Sequence, residues 1–312
     1  MFELCTKGNI ITQKSTFDYF LITGDASGNI YYGDLSISKS ESNKKQMKLS
    51  DQKDSILSLL YCQNINEFFS ASCDGSVLGY IYNESEYKRV TTIPYKYTKY
   101  LDSIQYDNEK HLLYIHENHY GYHCISNIDN TYTFINYPQI MKENYIYTFH
   151  PYYPHYIFIY FSETSLLALY NIHYFDLPLL SFIVPDTIQQ HKIISIKYIV
   201  NHNSILFSME KQFFEVHLYT QQVISLYKGK MINSKLITYN KYSDSFYVPS
   251  LKESSLYIYN HKLSLECKKS IGNYDHCITI PNSGLLSNPV FSNDSSLIAM
   301  GDNKGLLHFS HI

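Results

Sequence analysis

The sequence predicts an all-β fold, a seven-bladed β-propeller of degenerate repeats, from three observations. A strand–turn–strand unit recurs near the ~40–45-residue spacing of a four-stranded blade. The hydrophobic period is two throughout, and no segment carries the ~3.6-residue period of a helix. The chain has 312 residues, beyond the size at which one hydrophobic core usually stops growing, so it either divides into domains or extends by adding units. The recurrence selects the second, a single propeller over 1–312.

Three copies of the unit are clear: Tyr19–Leu35, Glu67–Tyr80 and Ser296–Phe309. In each, a short apolar run ends in small residues (Thr23-Gly24, Ala71-Ser72, Met300-Gly301). A turn of Asp, Asn and Gly then supplies the positive φ of a tight hairpin, and an alternating strand follows. These read as the second and third strands of a blade. Four weaker copies, Lys110–Ser126, Tyr156–Ile172, Ser204–Tyr219 and Ser245–Asn260, have mostly lost the turn glycine and bring the total to seven. Upstream of most copies lies a first strand with its own alternation: Ser55–Tyr61, Leu101–Tyr106, Tyr145–Phe149 and Ile193–Tyr198. The blades so delimited run 8–50, 51–95, 96–140, 141–185, 186–228, 229–280 and 281–312, the last completed by an N-terminal strand at 2–6. The lysine-rich stretch Ser36–Lys53 reads as a mobile loop between strands.

Hydrophobic residues make up 45% of the chain and charged ones 17%, which excludes a disordered polymer. A net charge of -3 gives no global attraction to nucleic acid or to an acidic membrane surface, so such binding needs a local basic patch. There are 33 tyrosines, no tryptophan and a single arginine, Arg89. A guanidinium fork grips phosphate or carboxylate bidentately and a lysine ammonium does not, so arginine-dependent recognition is nearly closed to this chain. The six cysteines (Cys5, Cys62, Cys73, Cys124, Cys267, Cys277) lie apart without a C-x-x-C pair, as reduced intracellular thiols do. No signal-peptide pattern opens the sequence and no apolar run approaches the ~20 residues of a membrane span, so a soluble, non-secreted protein is expected.

No phosphate loop before a helix, no G-x-S-x-G elbow and no kinase signature is present, so no catalytic residue, cofactor or small-molecule substrate is assigned. Asp25, Asp74 and Asp302 sit in the turns and read as structural hydrogen-bonding groups. The densest run of metal-ligating types holds His111, His116, His119, His123 and Cys124. A structural zinc needs four ligands converging tetrahedrally, and alternate residues of a strand point to opposite faces. No metal is therefore assigned, and these histidines are expected at solvated edges.

Blade by blade, the chain resembles the WD-repeat family that contains DNA damage-binding protein 2 and WD repeat protein 76. Gly24-Asp25-Ala26-Ser27-Gly28-Asn29-Ile30-Tyr31-Tyr32-Gly33-Asp34 resembles that family's G-D-K-x-G-N-x-G-x-W-D, and Ser70–Val77 its S-S-x-D-G-T-V. His150-Pro151-Tyr152-Tyr153-Pro154-His155 is similar to H-P-x-x-P-H, His191–Ser195 to H-R-x-x-x-S, and Leu297–Phe309 to the closing L-A-G-G-N-S-S-G-R-x-H-V-F. The resemblance implies a nuclear protein that binds DNA or chromatin, histones included, at sites of DNA damage. It also implies docking to a cullin-ligase adaptor through a W-D-x-R box. That box is replaced by Tyr170-Asn171-Ile172-His173, which removes the aspartate and the arginine and counts against the ligase role. Ala26, Leu78 and Ser254-Ser255 replace basic positions of the family. The remaining DNA-binding candidates are Lys99, Lys192, Lys211 and Lys304. No counterpart of the family's basic N-terminal extension is expected, and Phe2–Cys5 is expected to close the last blade. The alternative expectation is a protein-interaction scaffold without nucleic-acid contact, favoured by the negative charge and the shortage of arginine.

Overall fold

The computed structural model describes residues 10–12, 19–34, 47–62, 65, 67–83, 86–93, 101–117, 120–126, 131–136, 144–228, 236–250, 252, 254–261, 271–272, 276–279, 289–291, 297–301 and 307–311. Their strands form seven sheets. The first holds Ile10–Thr12, Tyr19–Gly24, Ile30–Asp34 and Met47–Leu49, and the second Ile56–Cys62, Glu67–Ser72, Val77–Asn83 and Glu86–Thr92. The third holds Leu101–Asp107, Leu112–Glu117, Gly121–Ser126 and Tyr132–Asn136, and the fourth Tyr145–Phe149, Tyr156–Phe161, Leu166–Asn171 and Leu180–Ile183. The fifth joins Ser195–Ile199, Ser204–Ser208, Gln212–His217 and Val223–Lys228, with Ile271–Gly272 added in parallel beside the last. Thr238–Asn240, Ser245–Pro249, Ser255–Asn260 and His276–Thr279 make the sixth, and Val290–Phe291, Leu297–Gly301 and Leu307–His311 the seventh. Within a sheet, chain neighbours are ladder neighbours, so successive strands are termed a, b, c and d.

Burial follows strand position. The b strands Glu67–Ser72, Ser204–Ser208 and Ser245–Pro249 are buried at every residue. The d strands Tyr132–Asn136 and Leu180–Ile183 are mostly exposed or half-buried. A strand covered on both faces needs a near-continuous apolar run, whereas an outer strand alternates.

The chain forms two compact units, Met1–Phe134 with Ser287–Ile312, and Ile135–Leu286. In the first, Ile22, Ile30 and Tyr32 pack on Ile56, Phe68 and Tyr80 of the second sheet. Phe69, Ala71 and Val77 pack in turn on Ile104, Leu113 and Ile115 of the third. In the other unit, Phe158, Tyr160 and Leu167 meet Ile196, Phe207 and Phe214, while Leu206, Phe213 and Tyr227 meet Phe246, Val248 and Tyr259. With no tryptophan in the chain, Phe and Tyr fill these layers. The cross-strand pairs Phe68–Tyr80 and Phe213–Tyr227 stack with ring centroids 4.7 and 4.5 Å apart. Each such pair contributes roughly 0.5–1.5 kcal/mol beyond the area it buries.

The b–c turns show how the repeat is encoded. Asp25 Oδ1 accepts the backbone N–H of Ser27 and Asn29, both at 2.8 Å, and Asp25 Oδ2 accepts Asn29 Nδ2. Asp74 does the same in the second sheet, accepting Ser76 N and Ser76 Oγ and, from the preceding segment, Lys53 N at 2.7 Å. Burial alone would raise both carboxyls, yet the hydrogen bonds of Asn29 and Ser27 on Asp25, and of Ser76 and Lys53 on Asp74, lower them. Both aspartates act structurally. Gly28 has φ +83°, and a Cβ there would lie 2.5 Å from the Gln52 carbonyl oxygen, so the turn demands glycine. In the fourth sheet, where glycine is lost, Ser165 takes the left-handed position at φ 53°.

Three expectations need correction. A one-turn helix, Asp186–Gln189, follows the d strand of the fourth sheet; Pro185 at φ -52° starts it, and Ile188 fills the core. One buried residue in four carries no legible period. The stretch Ser36–Lys53 is not all loop, since Met47–Leu49 pairs with Ile30–Tyr32 as a d strand, its Met47 and Leu49 packing on the first core cluster. The histidine run is corrected with the site below. The N-terminal strand at 2–6, Asp302, Lys99, His119 and Lys304 lie outside the described residues.

Candidate functional site

The a–b turns of the fourth, fifth and sixth sheets carry an aromatic face. In the first of these turns, His150 Nδ1 accepts the backbone N–H of Tyr152 and Tyr153 at 3.3 and 3.2 Å. An acceptor nitrogen must be unprotonated, and burial together with the charge of His155 lowers the His150 pKa. The neutral imidazole thus holds two tyrosines outward, Tyr152 at 52% and Tyr153 at 39% exposure. Tyr198 packs against His150 with its ring tilted by 41° and the centroids 4.9 Å apart. From the sixth sheet, Lys241 Nζ lies 5.6 Å from the Tyr152 ring centre and 5.0 Å from that of Tyr242, and it donates to Tyr152 Oη at 3.3 Å. The Lys241 carbonyl accepts Asn201 Nδ2 at 2.9 Å, which ties the fifth sheet to the sixth. Tyr242 and Tyr219, 63% and 78% exposed, extend the face.

Beside this face lies a cluster of two carboxylates and two imidazoles, buried except at Asp244. Glu215 sits in the c strand of the fifth sheet, at a register shift against Val223–Lys228; such a bulge re-aims side chains. It has no solvent exposure and accepts four donors. Oε1 takes His202 Nδ1 at 2.6 Å and Ser204 Oγ at 2.5 Å, while Oε2 takes Ser225 Oγ at 2.7 Å and His261 Nε2 at 3.1 Å. His202 ends the 3-10 turn Val200–His202, and Asp244 sits at φ 49° in the a–b turn of the sixth sheet. The second nitrogens of both rings face Asp244: His202 Nε2 lies 2.7 Å from Oδ1 and His261 Nδ1 3.4 Å from Oδ2. The two rings stack with centroids 3.7 Å apart.

Burial would raise the Glu215 pKa, but the hydrogen bonds of His202 and His261 and the charge of His202 hold it well below the ordinary carboxylate range. Burial would lower that of His202, but Glu215 and Asp244 together outweigh it, and the His202 pKa rises above the usual imidazole value.

The predicted residues fall elsewhere. Lys192 and Lys211 are both exposed at one end of the fifth sheet. Gln212 Nε2 donates to His191 Nε2 at 3.0 Å, so the two lysine-bearing segments are tied together. Tyr170 and Ile172 are buried, and Asn171 Oδ1 accepts the His173 N–H at 3.0 Å. The segment in place of the W-D-x-R box is therefore used in packing and turn formation. Leu78, which replaces an arginine of the family, belongs to the core of the first two sheets.

Of the histidine run, His111 is exposed, but His116 and His123 are buried, not at solvated edges. The b and c strands of the third sheet are covered on both faces, so neither parity of residue reaches water. His123 Nε2 pairs with Glu117 Oε2 at 2.8 Å and Nδ1 with Tyr132 Oη at 2.7 Å. Cys124 is likewise buried, and burial raises its thiol pKa to about 12, a structural thiol.

The scaffold alternative implies a tyrosine-rich binding rim, but the sequence named none of its tyrosines, and the carboxylate–histidine cluster was not expected. The usable signal for the cluster was Glu215 inside Phe213-Phe214-Glu215-Val216, a charge that an inner strand tolerates only with buried partners.

No protein-family model matches the sequence, and no curated protein matches it. Solved structures do match. The chain is similar to a chain of the crystal structure of the Mitotic Checkpoint Complex, with a TM-score of 0.68 and 9% identity over 94% of this chain and 86% of that one. It is also similar to the Cps50 (Swd1) β-propeller domain of Myceliophteria thermophila, with a TM-score of 0.69 and 11% identity over 98% and 99%. At such identities the likeness carries the fold, and the fold is that of a WD-repeat β-propeller.

Proposed function

We propose that the protein is a protein-interaction scaffold, a binding protein without a catalytic step, and that it engages its partner through the aromatic face of the fourth to sixth sheets. The observation that carries this reading is the placing of exposed Tyr152 and Tyr242 around Lys241, with Tyr153 and Tyr219 also in the open on neighbouring turns. Aromatic residues are enriched at the centres of interfaces, and tyrosine buries a large area while immobilising few torsions. Solved propellers of the same fold, one of them in a named complex, agree with such a role.

The test is affinity capture with the full chain against a Tyr152→Ser/Tyr242→Ser double variant of matching circular dichroism. Proteins held by the wild type should be lost with the double variant. An unchanged set would place the binding surface elsewhere.

A second reading, a nuclear protein on DNA or chromatin with DNA or histone partners, draws on the motif resemblance to the damage-binding family and on the exposed pair Lys192 and Lys211. It requires duplex affinity that weakens with salt, because each lysine–phosphate contact releases counterions. Anisotropy of a labelled duplex, intact and ultraviolet-irradiated, measures this. Binding that falls in the Lys192→Ala/Lys211→Ala variant favours chromatin, and the absence of binding at low salt leaves the scaffold reading alone.

A further inference from the structure

We propose that His202 Nε2, His261 Nδ1 and the Asp244 carboxylate form a binding site for a zinc-class divalent cation, with Glu215 as the carboxylate that orients both imidazoles. The argument begins at Glu215. Its oxygens accept His202 Nδ1 and His261 Nε2, and two serine hydroxyls complete its four donors. Glu215 thereby holds the inner nitrogen of each ring and turns both outer nitrogens toward Asp244, His202 Nε2 in a hydrogen bond at 2.7 Å and His261 Nδ1 in none. Histidines that ligate a metal characteristically give their other N–H to a carboxylate in this way, which fixes the tautomer and the ring orientation.

The outer side is left incomplete. His261 Nδ1 makes no hydrogen bond although its side chain is only 3% exposed, and it lies 3.4 Å from Asp244 Oδ2. Two electron-pair donors facing each other without a shared proton call for a positive ion between them. Ligands ~2.1 Å from a tetrahedral zinc are separated by about 3.4 Å, the spacing between His261 Nδ1 and Asp244 Oδ2, while the 2.7 Å hydrogen bond from His202 Nε2 to Asp244 Oδ1 has to open to admit the ion. Among the described residues this is the only group of three or more His, Cys, Asp or Glu side chains whose ligand atoms converge, all within 4.8 Å of one another. Three protein ligands leave one tetrahedral position open, and Asp244, with a 36% exposed side chain, gives an ion a route from solvent.

The inference is independent of the partner that the aromatic face binds, because it concerns the neighbouring turns only.

The test uses the full chain, stripped with a chelator and then dialysed against zinc chloride or titrated with cobalt(II). One ion per chain is expected, with the visible ligand-field bands of tetrahedral cobalt. His261→Gln and Asp244→Asn should each weaken binding at least about tenfold, and Glu215→Gln, which touches no ion, about 10–100-fold. His123→Gln and Glu117→Gln, in the third sheet, should leave it unchanged. Binding no stronger than that of His261→Gln, or binding that survives both ligand substitutions, overturns the assignment. Should His261→Gln fail to fold, Asp244→Asn at the partly exposed position decides the matter alone.

Discussion

Two buried glutamate–histidine pairs, built alike, shift their histidines in opposite directions. Glu117 in the third sheet and Glu215 in the fifth both sit at a register shift in an inner strand, and both bind a histidine nitrogen, at 2.8 and 2.6 Å. Yet burial lowers the His123 pKa despite the hydrogen bond and charge of Glu117, whereas the His202 pKa is raised. The difference lies at the second ring nitrogen. His123 Nδ1 meets the neutral hydroxyl of Tyr132, while His202 Nε2 meets a second carboxylate, Asp244. One carboxylate does not repay the desolvation of an imidazolium, and two do. The number of carboxylates around a buried histidine, not their presence, decides which way its pKa moves.

The sharpest way to break this comparison is to remove the two glutamates in turn. Glu215→Ala strands two imidazoles and two serine hydroxyls, and breaking a buried charge network in this manner costs about 3–5 kcal/mol. Urea denaturation followed by tyrosine fluorescence, which no tryptophan obscures in this chain, should show its midpoint falling furthest. Glu117→Gln keeps an acceptor for a neutral His123 and should cost only about 1 kcal/mol. Equal losses would mean that the two pairs are alike after all.

The smallest effect is in acid. A folded-state pKa below the ordinary imidazole value of about 6.5 means that the unfolded chain takes the proton first. The contribution of His123 to stability is therefore intact above that value, and it is lost as pH falls toward the depressed folded pKa. The melting temperature should drop between pH 7.5 and 5.5, and His123→Gln should drop less. Parallel curves would show that His123 is not the titrating group.

What could be read from the chain, and what could not, divides by distance. The b–c hairpins were legible because all of their determinants lie within a few residues: Asp25 with Gly28, and Asp74 with Gly75. The cluster at Glu215 was not, because its four members come from 202, 215, 244 and 261, and only the packing of two sheets brings them together. Which tyrosines form the aromatic face was hidden for another reason. In a chain of 33 tyrosines a further exposed one gives no contrast, and only structure separates Tyr152 and Tyr242 from the buried Tyr80, Tyr122 and Tyr259. Position among the strands likewise decided the histidines of the third sheet, which composition had placed at the rim.

The two-residue strand Ile271–Gly272, laid in parallel beside Val223–Lys228, has a consequence for the order of assembly. It belongs to the connection between Asn260 and His276, the last two strands of the sixth sheet, so the chain leaves that sheet, completes the one before it and returns. On the ribosome the fifth sheet cannot gain its outermost strand until the first three strands of the sixth have been made. These two sheets mature as a pair, and a chain stopped after Lys228 would expose the edge that Ile271–Gly272 covers.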